Sequence, residues 1–450
     1  MVIIAKFGGT SLKDAKRIKN AATITIKLKR QDNVVVVVSA IGDTTNSLID
    51  TVKNIDTIDI KKKKNELYLR YLDILSEIKT PTQKDKKQLK TFCDNLEKRL
   101  ILSQQQKKAS PEDVDHILGF GEIFSAFILS CAIKQLNHKT KILCGNDNLI
   151  FTNANFSNAD VLFDKTYTAL KKTIFPILDE KIIVFTGFIG TTIDNKTTTL
   201  GRSSSDYIAS LLGNALDAEE IQIYTDVDGI MTADPRIVKD AKVIKQMDFN
   251  EISELAFFGA YVLHPKTIEP AMEKNICVKV INSFNTDSFT KIFKKMPENN
   301  KNILSISSKK NVVLLNIYST RMLNTHGFLA RVFAIFEEEE IPIDMVSTSE
   351  VNISLSINEY EPEEKIQNII KKLSKFSSVS LEKNKSIICV VGEALKHRYG
   401  IAGKIFTVLG NNKINVEMIS QGASEINITF VVNDNDVKKA VIALHDELIK

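Results

Sequence analysis

The chain has 450 residues, of which 43% are hydrophobic and 26% charged, and a formal net charge of +5. That is room for two or three domains of ordinary globular composition, and too mild a charge to argue for nucleic acid. Cys93, Cys131, Cys144, Cys277 and Cys389 are scattered without a CxxC pair, which argues against a zinc site or disulfide framework and for a reducing cytoplasm. No apolar run approaches the length of a membrane span, and a strand beginning at Val2 leaves no room for a signal or transit peptide. The expectation is a soluble cytoplasmic protein with neither nucleic-acid nor membrane partners.

The chain opens MVIIAKFGGTS: an apolar run that stops at Lys6, then Gly8 and Gly9, then a helical pattern. Strand, glycine turn and helix is a setting for phosphate, although the Walker A and Rossmann spacings are both absent. A lysine beside glycine amides can stabilise charge on a moving phosphoryl group; the plainer reading is a tight turn with an exposed lysine. The next strand, Asn33–Ser39, carries VVVVV, a run suited to a sheet covered on both faces. It leads into SAIGDTTNSL, where Ser39, Thr44, Thr45 and Asn46 suit either helix capping or a carboxylate pocket.

From about 56 to 110 the sequence is lysine-rich and helical, with KKKK at 61–64 read as a solvated face. GFGEIFSAFILS follows, placing Glu122 at the head of an apolar helix. Strands at Lys141–Cys144, Ile182–Gly187, Glu220–Thr225 and Val278–Ile281 alternate with amphipathic helices. This is the pattern of an open α/β sheet, whose ligands gather at the carboxyl ends of strands.

Two further motifs sit at such ends. In TTTLGRSSSD, Arg202 lies between a glycine and Ser203, Ser204 and Ser205, a good anion clamp, and Asp206 stands where a helix starts. TDVDGIMTADPR at 225–236 is explained as a plain loop by its Asp-Gly and Asp-Pro turns. Its two hydroxyls, three aspartates and Arg236 equally suit the ribose and phosphates of a nucleotide. No Ser-His or Cys-His pairing and no HExxH suggests itself, and His264 reads as structural. A substrate carboxylate attacking a γ-phosphate is already ionised and needs no protein base.

After a polar linker, KMPENNKN at 295–302, an internal repeat begins. GFLARVFAIFEEEEIPIDMVSTSEVNIS, from Gly327, matches GIAGKIFTVLGNNKINVEMISQGASEINIT, from Gly400, at an offset of 73 residues. Each copy reads as βαββαβ. The second runs out in the helix Val437–Ile449, so its missing strand is expected from ILSIS at 303–307.

KFGGTS, SAIGDTTN, GFGE, GFIGTT with TTTLGRSSSD, YTDVDGIMTADPR and FGAYVLHPKT, in this order, resemble aspartate kinase. The resemblance implies an amino-acid-kinase fold, an open and mainly parallel sheet between helices, over 1–295, and a regulatory region over 303–450. It implies two ACT modules there, at about 311–383 and 386–450, the second completed by the strand 303–307. The implied reaction is transfer of the γ-phosphoryl group of MgATP to the L-aspartate side chain, first step toward lysine, threonine and methionine. Lys6, with the amides of Gly8 and Gly9, would stabilise the transferring group and Asp206 would orient the lysine. Arg202 would hold the substrate α-carboxylate, Glu122 its α-ammonium, and Ser39, Thr45 and Ser205 would help place it. Thr225, Asp226, Met231 and Arg236 would line the nucleotide site.

In the first module the resemblance assigns Met322, Thr325, Gly327, Phe328, Leu329, Asp344, Thr348, Ser349 and Glu350 to an amino-acid effector, lysine or else threonine. It also implies a dimer or higher homo-oligomer through the ACT modules. Three departures stand out: Ser203-Ser204 where many members have Gly-Gly, Met231 for a common aromatic, and Tyr261 for a lysine often used toward ATP. A kinase of glutamate or an N-acetylated relative, and a non-catalytic amino-acid sensor, are the rival readings.

Overall fold

The computed structural model describes residues 1–201, 203–257, 263–295, 303–322, 326–392, 395, 399–421 and 426–449. Arg202, Tyr261, Thr325 and most of the 295–302 linker lie outside them. The chain divides into two compact units: 1–230 with 245–249 and 263–295, and 231–244 with 250–262 and 296–450.

The first unit is wound around one sheet. In chain order it holds β1 (Val2–Phe7), α1 (Ala15–Lys29), β2 (Asn33–Val38), α2 (Thr44–Lys53), α3 (Ile60–Ile78), α4 (Gln83–Gln105) and α5 (Pro111–Gln135). There follow β3 (Thr140–Leu143), α6 (Phe163–Ile174), β4 (Ile182–Thr186), the hairpin β5 (Ile189–Thr191) and β6 (Thr197–Thr199), α7 (Ser204–Ala215) and β7 (Glu220–Thr225). Then come β8 (Gln246–Asp248), α8 (Phe249–Phe257, which groups with the second unit beyond its first residue), α9 (Pro265–Glu273), β9 (Cys277–Asn282) and β10 (Phe289–Phe293). The sheet order is β3-β4-β2-β1-β7-β9-β10-β8. The strands from β3 to β9 in that order are parallel to their neighbours, and β10 returns antiparallel to β9. Val34 to Val38 are fully buried, as a strand covered on both faces requires.

α5 corrects two expectations. Its central stretch is long and apolar enough to cross a bilayer, yet 89% of it is buried inside the fold, so it is a core helix. Glu122 stands in the middle of it, not at its head. Ser110 caps the helix by accepting the Asp113 N–H on its side chain, about two and a half turns before the GFGE motif. The lysine-rich stretch does form the long helices α3 and α4, and α4 starts with a capping box of Thr82 and Asp85.

The second unit contains β11 (Ile303–Tyr318), α10 (Phe328–Glu338), β12 (Met345–Thr348), β13 (Asn352–Asn358), α11 (Glu363–Leu373) and β14 (Ser378–Gly392). After these come α12 (Ile401–Asn411), β15 (Met418–Ser420), β16 (Asn427–Asn433) and α13 (Val437–Leu448). One antiparallel sheet, β12-β13-β11-β14-β16-β15, runs through both repeats because β11 and β14 are long enough to serve each in turn. Residues 303–309 of β11 pair with 387–392 of β14, and 312–318 pair with 378–385. Between the halves the register of β11 shifts, at Asn311 (φ 59°), while Asn384 (φ 59°) holds the matching place in β14. Both helix starts repeat as well, at Gly327 (φ 78°) and Gly400 (φ 80°). Each repeat buries its own apolar cluster, one around Phe328, Val332 and Phe336, the other around Ile405, Phe430 and Leu444.

Residues 231–244 belong to the second unit for a packing reason. Ala233 and Val238 are buried in the core of the second repeat. Thr232 shares a hydrogen bond of 2.9 Å with His445 of α13, and Ile306 N–H donates to the Thr232 carbonyl at 2.9 Å.

Candidate active site

β4, β2, β1 and β7 are adjacent in the first sheet, and their carboxyl ends carry four of the polar motifs. β1 is the strand from which the order runs outward both ways, the place where α/β folds leave a crevice. Tight approach brings the ends together. A Cβ on Gly187, just past β4, would lie 2.3 Å from Ser205 Oγ and 2.8 Å from the Val38 carbonyl; one on Gly9 would lie 2.8 Å from the Ala40 carbonyl.

At the end of β1, Lys6 Nζ meets Asp206 Oδ1 of α7 at 2.6 Å, with the two side chains only 11% and 9% exposed. The opening lysine is therefore not the exposed residue of a tight turn. α7 begins after Ser203 in a left-handed conformation (φ 59°), and the Ser203 side chain makes no capping bond. Ser204 Oγ is buried without a hydrogen-bond partner among the described residues. Uncapped amides, a helix dipole and an orphan hydroxyl form an anion site with a cation beside it.

Glu122 is 4% exposed. Its Oε1 accepts the Ala40 N–H at 3.0 Å, and its Oε2 has no partner among the described residues. Burial pushes its carboxyl up to about 8, against the opposing pull of the Ala40 amide. The GFGE glycines make this contact possible, since a Cβ on Gly121 would sit 2.8 Å from Ala40 Cβ. A buried carboxylate with an unmatched oxygen is a receptor for a ligand cation.

The remaining candidates divide. Ser39 follows β2 and donates its N–H to the Phe7 carbonyl at 3.1 Å, while Thr45 is half-buried in the first turn of α2. Side-chain capping does not account for SAIGDTTN: Asp43, at the N-cap, makes no capping bond and pairs with Arg70 at 2.6 Å instead. Thr44 is structural, bonded to the Ile41 carbonyl and to Tyr71. The Gly8 N–H is held by the Tyr224 carbonyl at 3.1 Å, which corrects its assignment as a phosphate donor. Thr225 and Asp226 end β7 in a loop pinned by Asn282 to Asp228 at 2.6 Å. Met231 and Arg236 lie in the second unit, where Arg236 is 88% exposed and forks onto Asp234 at 2.7 Å. That fork holds the Asp234 carboxyl below its usual range.

The amino acid kinase family model matches residues 1–282, and the ACT domain model matches 315–371 and 388–448. Aspartokinase 1, chloroplastic, of Arabidopsis thaliana is 36% identical, covering 98% of this chain and 79% of its own. Lysine-sensitive aspartokinase 3 of Escherichia coli is 30% identical, covering 100% of this chain and 99% of its own. The chain belongs to the aspartokinase family. Among solved structures, E. coli aspartokinase III in complex with aspartate and ADP, in the R-state, superposes with a TM-score of 0.84 at 29% identity, each chain covered in full. The same enzyme with lysine and aspartate, in the T-state, gives 0.83.

The effector candidates of this aspartokinase lie around the start of α10 and the β12–β13 turn. Phe328 is buried against Phe376 in an edge-on contact of 5.5 Å, so only its backbone is left for a ligand; Leu329 is 39% exposed. Met322 packs against the core of the first repeat. Thr348, Ser349 and Glu350 are exposed in a tight turn closed by Ser349 and Asn352. Asp344 is already engaged: Lys309 Nζ lies 2.6 Å from its carboxylate, with the two side chains 14% and 8% exposed.

Residues not singled out in the sequence also prove central, above all Asp115 and Lys309. Asp115 precedes Glu122 by two helical turns on the same face of α5, a spacing that is visible once the helix is known to start at Pro111. Lys309 carries no comparable local signal.

Proposed function

We infer that this aspartokinase phosphorylates aspartate with ATP. We propose that aspartate is seated between Glu122 and the start of α7, and that Lys6 neutralises the γ-phosphoryl group as it moves to the side-chain carboxylate. The observation that carries this reading is the buried Glu122 carboxylate with one oxygen unmatched among the described residues. It suits a free α-ammonium and would gain no ion pair from an N-acetylated substrate, which has no charge to supply. Asp206 holds Lys6 in place, and Lys6 acts as a point charge on the transferring oxygens. Ser205 and the α7 amides face the anionic groups, Arg202 takes the α-carboxylate, and Ser39 and Thr45 line the aspartate side. The amide of Gly9, with Thr225 and Asp226, serves the nucleotide. Magnesium would enter with ATP and take up charge on its phosphates.

Regulation is read from the first ACT module, with lysine as the effector and threonine as the alternative. E. coli aspartokinase III has been solved with lysine in a T-state. Here the α10 amides after Gly327 would take the effector carboxylate. Thr325, Met322 and Leu329 would flank it, and Thr348, Ser349 and Glu350 would meet its ammonium. An effector reaching for Asp344 must compete with Lys309. A homodimer through the second unit is supported by the open sheet edges at β12 and β15 and by exposed Leu329, Phe333 and Ile419. The product would enter lysine, threonine and methionine synthesis, and the scattered free cysteines fit a cytoplasmic setting.

The test is aspartyl phosphate formation from MgATP, trapped with hydroxylamine, with aspartate, glutamate or N-acetylaspartate as acceptor and with lysine or threonine added. Product with aspartate alone, suppressed by one of the two, is expected. Turnover of the N-acetylated acid would remove Glu122 from its assigned role.

A further inference from the structure

Asp115 is 0% exposed, and it is bonded by Ser157, in the loop before α6, and by Thr199, at the end of β6 on the way into α7. Its Oδ2 accepts the N–H groups of Ser157 and Thr199, both at 2.8 Å. Its Oδ1 accepts the Thr199 hydroxyl at 2.9 Å and the Ser157 hydroxyl at 3.2 Å. Two separate stretches of chain thus hang from one carboxylate. They also hold each other: Ala159 N–H donates to the Thr199 carbonyl at 2.9 Å, and Asn158 lies beneath Gly201, where a Cβ would come within 2.7 Å of its Oδ1.

Gly201 turns with φ 80° two residues after Thr199, Ser203 turns with φ 59°, and α7 follows with Ser204, Ser205 and Asp206. Seven residues beyond Asp115, or about 10 Å along the helix axis, α5 carries Glu122. We propose that Asp115 is a positioning residue for aspartate: one helix bears the ammonium receptor and, through a single carboxylate, fixes the turn that aims the anion-binding end of α7. The spacing between the two halves of the substrate seat is then set inside α5 and not by the loops between them. The inference rests on the reading that Glu122 and the start of α7 hold aspartate.

The geometry explains the choice of residue. An aspartate offers acceptors on both oxygens and matches four converging donors, whereas asparagine would turn an NH₂ group toward two of them. Misplacement of a substrate group by about 1 Å is worth up to about a hundredfold in rate.

The full-length enzyme with Asp115→Asn is compared with wild type for the KM of aspartate, the KM of MgATP and the thermal midpoint. The expected result is an aspartate KM raised about tenfold, with the MgATP KM within about twofold of wild type. A purely structural role would lower the active fraction and leave both KM values where they were, and that result would overturn the proposal. Should Asp115→Asn not fold, Ser157→Ala and Thr199→Val each remove one hydroxyl donor. Each is expected to raise the aspartate KM about two- to threefold, and no rise in either is again an overturning result. Glu122→Gln runs alongside. If it leaves the aspartate KM unmoved, the reading of the seat falls and this inference with it; if it raises the KM while Asp115→Asn does not, the inference alone falls.

Discussion

Lys6 and Glu122 represent opposite uses of burial. Lys6 is taken out of water beside a carboxylate that holds and aims it. Lys6→Ala should lower kcat by about two to three orders of magnitude with a much smaller change in substrate binding, measured by steady-state hydroxamate formation. Normal turnover would remove it from the transfer step. Glu122 has an amide for a partner and no cation among the described residues, and burial pushes its carboxyl up to about 8. A substrate ammonium binds the ionised form. Below about pH 8 binding must therefore expel a proton, and affinity for aspartate should rise about tenfold per pH unit before levelling above that pH. The profile of kcat/KM for aspartate in wild type and Glu122→Gln checks this; the variant should be flat, and an identical slope in both would exclude Glu122 as its source.

The elements around the site owe their positions to residues with no side chain as much as to polar ones. The end of β4 passes α7 at a distance that admits hydrogen but not carbon at Gly187. Gly187→Ala should destabilise the first unit by about 1–3 kcal/mol and displace Ser205, with a loss of aspartate affinity. Urea unfolding and the aspartate KM read the two effects separately. The TTT run before Gly201 shows why polar density alone is ambiguous. Thr197 bonds His116, Thr198 bonds Thr152 and Thr199 bonds Asp115, so all three hydroxyls serve the fold. The run stands beside the site because it carries the turn into α7.

For the whole molecule, the second unit joins two ACT repeats through the shared strands β11 and β14, so a ligand on the first repeat acts on a sheet common to both. Inhibition requires the effector to prefer one global state. Glu350→Ala should relieve inhibition by lysine or threonine while leaving uninhibited kcat unchanged, since Glu350 is an exposed turn residue of the second unit. Effector titrations of both proteins decide it. An undiminished response would take Glu350 out of the effector site.

Read alone, the sequence determined the six strands that run parallel through the first unit, though not the short β5, β6, β8 and β10, together with the glycine turns at their ends, the duplicated modules and the family. Each of these depends on local chemistry: continuous Val and Ile runs, residues that admit φ above zero, and a repeat that preserves its own periodicity. Even the strand 303–307 beside the second repeat followed from counting elements in each copy. Tertiary structure alone decided which charges face each other and which are dry. Lys6 and Asp206 are two hundred positions apart in the chain, Lys309 reaches Asp344 across a sheet, and Asp115 meets donors from a loop and from β6. Glu122 reads as a helix-head glutamate until α5 is seen to begin at Pro111 and bury it. Desolvation and long-range pairing depend on what packs over a residue, and no local pattern along the chain encodes that cover.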